Sequence, residues 1–145
     1  MLEKYLKENR IQHIHRVESW EEAIKLAASP LLEDGVISQG YIKAMLESVE
    51  LNGPYIVLKE SFALPHAKAG EYVNEVGLSL LVIDEPIDLK GNPVKVFLVL
   101  AAVDNSSHLE ALSKISELLM NEEVYQKFLA GNLEEIKKIL YKGAE

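Results

Sequence analysis

Apolar positions along the chain change their period several times, and each change marks an expected element. Leu2, Tyr5 and Leu6 suggest a short opening helix. An alternating stretch follows, with Ile11, His13, His15 and Val17 on one face and Gln12, Ile14 and Arg16 on the other, as in a strand. Trp20, Ala23, Ile24, Ala27, Ala28 and Leu31 then recur at helical spacing behind Ser19, a candidate N-cap with Glu22 three residues on. Pro30 interrupts that helix and predicts a kink or restart, and Gly35 a stop. A second helix is predicted from Ser38 to Leu51, ended by Asn52-Gly53-Pro54. Residues 55–58, 62–64, 77–83 and 94–103 read as strands. The last two are nearly continuous apolar runs, which suits strands covered on both faces. Leu109, Leu112, Ile115, Leu118 and Leu119 mark a further helix, with two short ones at residues 122–130 and 133–141. The expected fold is α/β, a mixed sheet sandwiched between helices in three layers, with residues 1–145 forming one domain.

Composition narrows the function. The chain has 145 residues, 48% hydrophobic and 26% charged, with a formal net charge of -8. That balance lacks the basic face a nucleic-acid binder needs and the polybasic patch of a membrane-surface protein. Without cysteine there is no disulfide and no thiol catalysis. The opening MLEKYLKENR is too polar for a signal peptide, and the apolar runs are too short to span a bilayer. A cytoplasmic protein, peripheral to any membrane process, is the expectation.

Candidate chemistry falls on four histidines, whose side chains ordinarily titrate near neutrality. His66 stands in Ala63-Leu64-Pro65-His66-Ala67, after a strand that the proline ends, so its imidazole is expected at a strand terminus where α/β crevices lie. A solvent-facing loop histidine is the alternative. Ser107-His108-Leu109-Glu110 matches a capping box that would set His108 at the first helical position, beside unpaired N–H groups able to meet an anion. Its alternative is a partly buried histidine tied into the cap. His13 and His15 share a strand face and could ligate a metal, but no third ligand is in view, and a structural pair packed between Ile11 and Val17 is the favoured reading. Nucleophile-elbow, phosphate-loop and dinucleotide fingerprints are absent.

Several segments together resemble a known family. Ala63-Leu64-Pro65-His66-Ala67 is similar to the phosphorylation motif of the mannitol/fructose-type EIIA components of the bacterial phosphotransferase system. Gly40-Tyr41-Ile42-Lys43-Ala44-Met45-Leu46-Glu47, the strand ending in Asp104, and Ser107-His108-Leu109-Glu110-Ala111-Leu112 follow in the family's order, so the resemblance covers nearly the whole chain. Asn52-Gly53-Pro54-Tyr55-Ile56-Val57 and Leu78-Ser79-Leu80-Leu81-Val82 resemble the ascorbate-type branch.

The resemblance implies a phosphoryl carrier. His66 would accept the group on its tele nitrogen from phospho-HPr and pass it to a cysteine of EIIB, with the membrane component EIIC coupling transfer to entry of ascorbate or a related carbohydrate. His108 would stabilise the phosphoryl group, with Pro65, Ala67 and Ser107 contributing to binding, and no cofactor or metal is implied. Mannitol and fructose members usually carry an arginine where Ser48 stands. That departure argues against mannitol and makes the helix start at Ser107–His108 the candidate replacement donor. Phe62, Leu64, Ala67 and the loops around His66 and His108 are the expected docking surface. A regulatory EIIA-like domain and a histidine-based metal-binding domain are the competing readings.

Overall fold

The two long apolar runs form the centre of the sheet, where both faces are covered and every position favours an apolar side chain. The computed structural model describes residues 2–141. Numbered in chain order, its strands are β1 (Ile11–Ile14), β2 (Val57–Lys59), β3 (Ser61–Ala63), β4 (Gly77–Leu89) and β5 (Asn92–Ala101). The helices are α1 (Trp20–Glu33), α2 (Gln39–Asn52), α3 (Leu109–Met120), α4 (Glu122–Ala130) and α5 (Leu133–Tyr141), preceded by 3-10 turns at Leu2–Lys4 and Glu8–Arg10. The strands lie in the order β1-β4-β5-β3-β2. β4 and β5 are antiparallel, β1 joins β4 and β3 joins β5 in parallel, and β2 closes the edge antiparallel to β3. The sheet is therefore mixed, with helices on both sides.

Alternation along the central strands divides the core in two. Leu81, Ile83, Phe97, Val99 and Ala101 face α1 and α2, while Leu78, Leu80, Val82, Val96, Leu98 and Leu100 face α3, α4 and α5. Lys90 and Gly91 join β4 to β5 in a two-residue turn, both at positive φ (51° and 97°), whose twist matches that of the strands. Ser19 caps α1 as expected, accepting the N–H of Glu22 at 3.1 Å.

Several boundaries differ from expectation. β1 stops at Ile14, and Val17 packs in the α1–α2 core instead of beside Ile11. Helix α1 runs through the buried Pro30 to Glu33 without restarting, and the chain then turns at Gly35, φ 75°. β4 extends six residues past Ile83, because Asp84, Glu85 and Pro86 bulge out of the ladder before pairing resumes at Ile87. β5 ends at Ala101, two residues short of Val103, and the edge strands are shifted by one or two residues.

What matters for function is the parallel pairing of β3 with β5. Both strands release their carboxyl ends at one edge, where the chain continues to His66 from one and to His108 from the other.

Candidate functional site

The loop after β3 is fixed before it reaches solvent. Leu64 donates its N–H to the Ile56 carbonyl at 2.8 Å, and the Pro65 carbonyl accepts from Leu100 N–H at 3.0 Å, extending the pairing past β3. Further along, Gly70 donates to Ala102 O at 3.0 Å and Ser38 to Tyr72 O at 3.0 Å. Tyr41, on α2 and fully buried, accepts the Ala67 N–H at 3.1 Å and donates its own hydroxyl to Leu100 O at 2.6 Å. Burial pushes its phenol up to about 12, so it remains an uncharged bridge between the loop and β5.

Between these anchors sits His66. Its Nδ1 lies 2.6 Å from the Leu64 carbonyl oxygen. A carbonyl can only accept, so Nδ1 carries the proton and Nε2 is left with its lone pair. Tyr55 stands edge-to-face on the imidazole, with centroids 5.3 Å apart and planes at 83°. Its hydroxyl donates to the His66 carbonyl at 3.1 Å. With that proton spent, the Ser48 hydroxyl 2.8 Å away donates to Tyr55, and Asn52 Nδ2 approaches Ser48 at a longer 3.4 Å. The C-terminal turns of α2 thereby hold the histidine through its backbone and its ring.

His108 lies across the same cavity, a space of about 490 Å³ lined also by Ser48, Asn52, Tyr55, Lys68 and Asn105. Its Nδ1 is the only buried side-chain nitrogen or oxygen without a hydrogen-bond partner among the described residues. No hydrogen bond at Nδ1 fixes the tautomer of His108, and its Nε2 is a donor whenever it carries the proton. Among the described residues no carboxylate lines the cavity, and Lys68 is the only lysine or arginine that does.

The helix start is built differently from the expected capping box. The N-cap of α3 is His108 itself, with φ -90° and no side-chain cap bond. Ser107 instead turns toward Asp104, giving that carboxylate its N–H at 2.6 Å and its hydroxyl at 2.6 Å, while Ser106 N–H adds a third bond at 2.9 Å. These donors, the Ser107 hydroxyl foremost, hold the Asp104 carboxyl down to about 2. Asp104 closes this turn because its short carboxylate reaches N–H groups two and three residues ahead. Ser107 and Pro65 do not line the cavity, whereas Ala67 does.

The structure brings His66 and His108 together and leaves the other two histidines elsewhere. His13 Nε2 lies 2.7 Å from Asp84 Oδ1, and His15 Nδ1 lies 3.4 Å from Asp84 Oδ2, on the exposed bulge of β4. Their hydrogen bonds, that from His13 first, hold the Asp84 carboxyl below its usual range. This pair hydrogen-bonds Asp84 at the surface and does not pack between Ile11 and Val17. The ring of His13 also lies against the α4–α5 turn, where a β-carbon on Gly131 would come within 2.8 Å of it. Among the described residues, no group of three or more His, Cys, Asp or Glu is placed to hold a metal ion. No helix among them is long and apolar enough to cross a membrane.

Two expected docking residues are corrected as well. Phe62 and Leu64 are 2% and 6% exposed, inside the core beneath α3 and α4. The exposed apolar side chains near the histidines are Tyr55 and Leu109. Sequence reasoning missed Tyr41, Asn52, Tyr55, Lys68 and Asn105. Lys68 stood two residues beyond His66, and Tyr55 directly after the turn that ends α2, but no periodicity marks residues that converge from separate loops.

Comparison with known proteins bears on the family and the fold. The mannitol-specific cryptic phosphotransferase enzyme IIA component of Escherichia coli strain K12 is 36% identical over 135 residues, covering 92% of each chain. The ascorbate-specific EIIA component of the same strain is 32% identical over 122 residues, covering 81% of this chain and 79% of the relative. Relatives named for mannitol and for ascorbate thus both match this chain. The solution structure of the mannitol-specific cryptic enzyme IIA from Escherichia coli superposes with a TM-score of 0.90 at 34% identity, covering 97% of this chain and 98% of that one. The family model described as "Phosphoenolpyruvate-dependent sugar phosphotransferase system, EIIA 2" matches residues 4–143, nearly the whole sequence, and the chain belongs to that family.

Proposed function

We propose that this protein is a cytoplasmic phosphoryl carrier that accepts a phosphoryl group from phospho-HPr on Nε2 of His66 and delivers it to a cysteine of its EIIB partner, for ascorbate or a related carbohydrate taken up through EIIC. The observation that carries the reading is the commitment of His66 Nδ1 to the Leu64 carbonyl at 2.6 Å, which leaves Nε2 as the ring's free nucleophile beside a cavity that no carboxylate among the described residues lines.

In the accepting step the Nε2 lone pair forms a bond to phosphorus as the donor's phosphorus–nitrogen bond breaks, and the bonding pair leaves with the donor imidazole. The proton on His66 Nδ1 stays where the Leu64 carbonyl holds it. Transfer of this kind depends mainly on alignment and on neutralising charge, so fixed geometry supplies much of the rate. Tyr55 and Tyr41 fix the loop on either side of the histidine. His108 is placed to donate from Nε2 to a phosphoryl oxygen, and Ala67 forms part of the floor. The delivering step reverses the first, with a thiolate as nucleophile and His66 as the leaving group.

The test is to incubate the protein with phosphoenolpyruvate, enzyme I and HPr, and to measure intact mass beside a His66→Ala variant. One phosphoryl adduct on the parent and none on the variant is expected. An unmodified parent, with the donors shown active on another acceptor, would overturn the reading, as would an adduct that survives in His66→Ala.

A further inference from the structure

The cavity beside His66 would have to receive a doubly negative group, in a protein whose own formal charge is -8. Its wall donors are mostly engaged or neutral. The Ser48 hydroxyl is spent on Tyr55, and Tyr55 on the His66 carbonyl. The N–H groups of Ser106 and Ser107, just before α3, already answer the Asp104 carboxylate. These two donors ahead of the helix are therefore already taken by an anion of the chain itself.

Lys68 differs from all of these. It is exposed, lies two residues after His66, and among the described residues is the only lysine or arginine lining the cavity. Its ammonium has no ion-pair or hydrogen-bond partner among the described residues, although carboxylates outnumber lysines and arginines 23 to 15 in the sequence. Lys43, Lys90, Lys114 and Lys127 have carboxylate partners within 4.0 Å, while Lys25 and Lys138, exposed and as unpaired as Lys68, do not line the cavity. The loop that carries Lys68 is pinned on both sides, at Ala67 by Tyr41 and at Gly70 by Ala102, so its backbone stays beside the cavity while the flexible stem reaches.

We propose that Lys68 is a catalytic residue, its ammonium contacting the phosphoryl oxygens during transfer to and from His66 and supplying the positive charge that Ser48 and the start of α3 do not. The inference rests on the carrier reading and adds to it the group that neutralises the transferred charge. No proton moves in this role. The ammonium stays charged while the phosphorus–nitrogen bond of the donor breaks and that of His66 forms, and it meets the negative oxygens most closely when both bonds are partial.

The experiment measures the single-turnover rate of phosphorylation against phospho-HPr concentration for the parent, Lys68→Met and Lys68→Arg. Losing one donor to an oxyanion typically slows a reaction by about 10²–10³, and solvent screening reduces that for an exposed group, so the saturated rate of Lys68→Met is expected to fall roughly 10- to 100-fold. The half-saturating concentration should change little, and Lys68→Arg should recover most of the rate. A saturated rate within about twofold of the parent for Lys68→Met, including the case where only half-saturation shifts as for a docking contact, would overturn the proposal. So would equal losses in the Met and Arg variants. A parent that takes no phosphoryl group from active phospho-HPr would instead remove the carrier reading on which the proposal stands.

Discussion

One hydrogen bond decides which nitrogen of His66 can react. The Leu64 carbonyl at 2.6 Å fixes the tautomer, and Tyr55 fixes the ring from the other side. The two effects separate in Tyr55→Phe, which keeps the aromatic contact and loses the hydroxyl that bonds the His66 carbonyl and Ser48. A partly exposed hydrogen bond of this sort contributes about 0.5–1.5 kcal/mol, so stability should drop by that order, as measured by denaturant unfolding. The saturated phosphorylation rate should fall several-fold more than the folded fraction does, because a misplaced nucleophile slows transfer without unfolding the domain. A rate unchanged from the parent would show that Tyr55 only packs. At this scale the sequence was legible for the two histidines, since Pro65 and the loop before α3 announce strand ends. It was not legible for Tyr55 or Lys68, which reach the cavity through a tertiary arrangement that local pattern does not encode.

Among the elements, the segment between β5 and α3 departs most from its expected form. A Ser-x-x-Glu pattern predicts a capping box, yet Asp104 takes the Ser107 N–H that the Glu110 side chain would accept. Its carboxylate can take the N–H groups of Ser106 and Ser107 together with the Ser107 hydroxyl, and charge-assisted bonds are the stronger kind. That competition has a pH signature. The Asp104 carboxyl is held down to about 2, against about 3.9 for an unperturbed aspartate. A depressed value stabilises the ionised folded form, so the contribution is complete above about pH 4 and is lost as pH falls toward 2. The amide signals of Ser106 and Ser107 should titrate with a midpoint near 2, and Asp104→Asn should abolish that titration. A midpoint near 3.9 would show that the turn does not hold the carboxylate. The helices were legible because their periods are clear, including the cap at Ser19. The end of β1 and the bulge of β4 were not, because alternation in a short polar stretch continues on paper past the point where Glu85 N–H turns to His15 O.

At the scale of the whole molecule, the mixed sheet does one thing that its family assignment alone does not explain. Placing β3 parallel to β5 lets two loops distant in sequence open at the same edge, one with a histidine whose free nitrogen can act as nucleophile and one with a histidine suited to donate. Those ends are held by the two buried faces of β4 and β5, so the geometry of the site is tied to the core and not to the loops alone. The three-layer arrangement was legible because only strands covered on both sides tolerate such continuous apolar runs. The strand order was not, since alternating elements specify which segments pair only weakly.

Phosphoryl transfer is expected to turn on a single nitrogen of His66, and NMR of the phosphorylated, ¹⁵N-labelled protein identifies which one it is. Phosphorus–nitrogen couplings in the imidazole of His66 should place the phosphoryl group on Nε2, with Nδ1 still protonated toward the Leu64 carbonyl. A group found on Nδ1 of His66, or on His108, would contradict the claim.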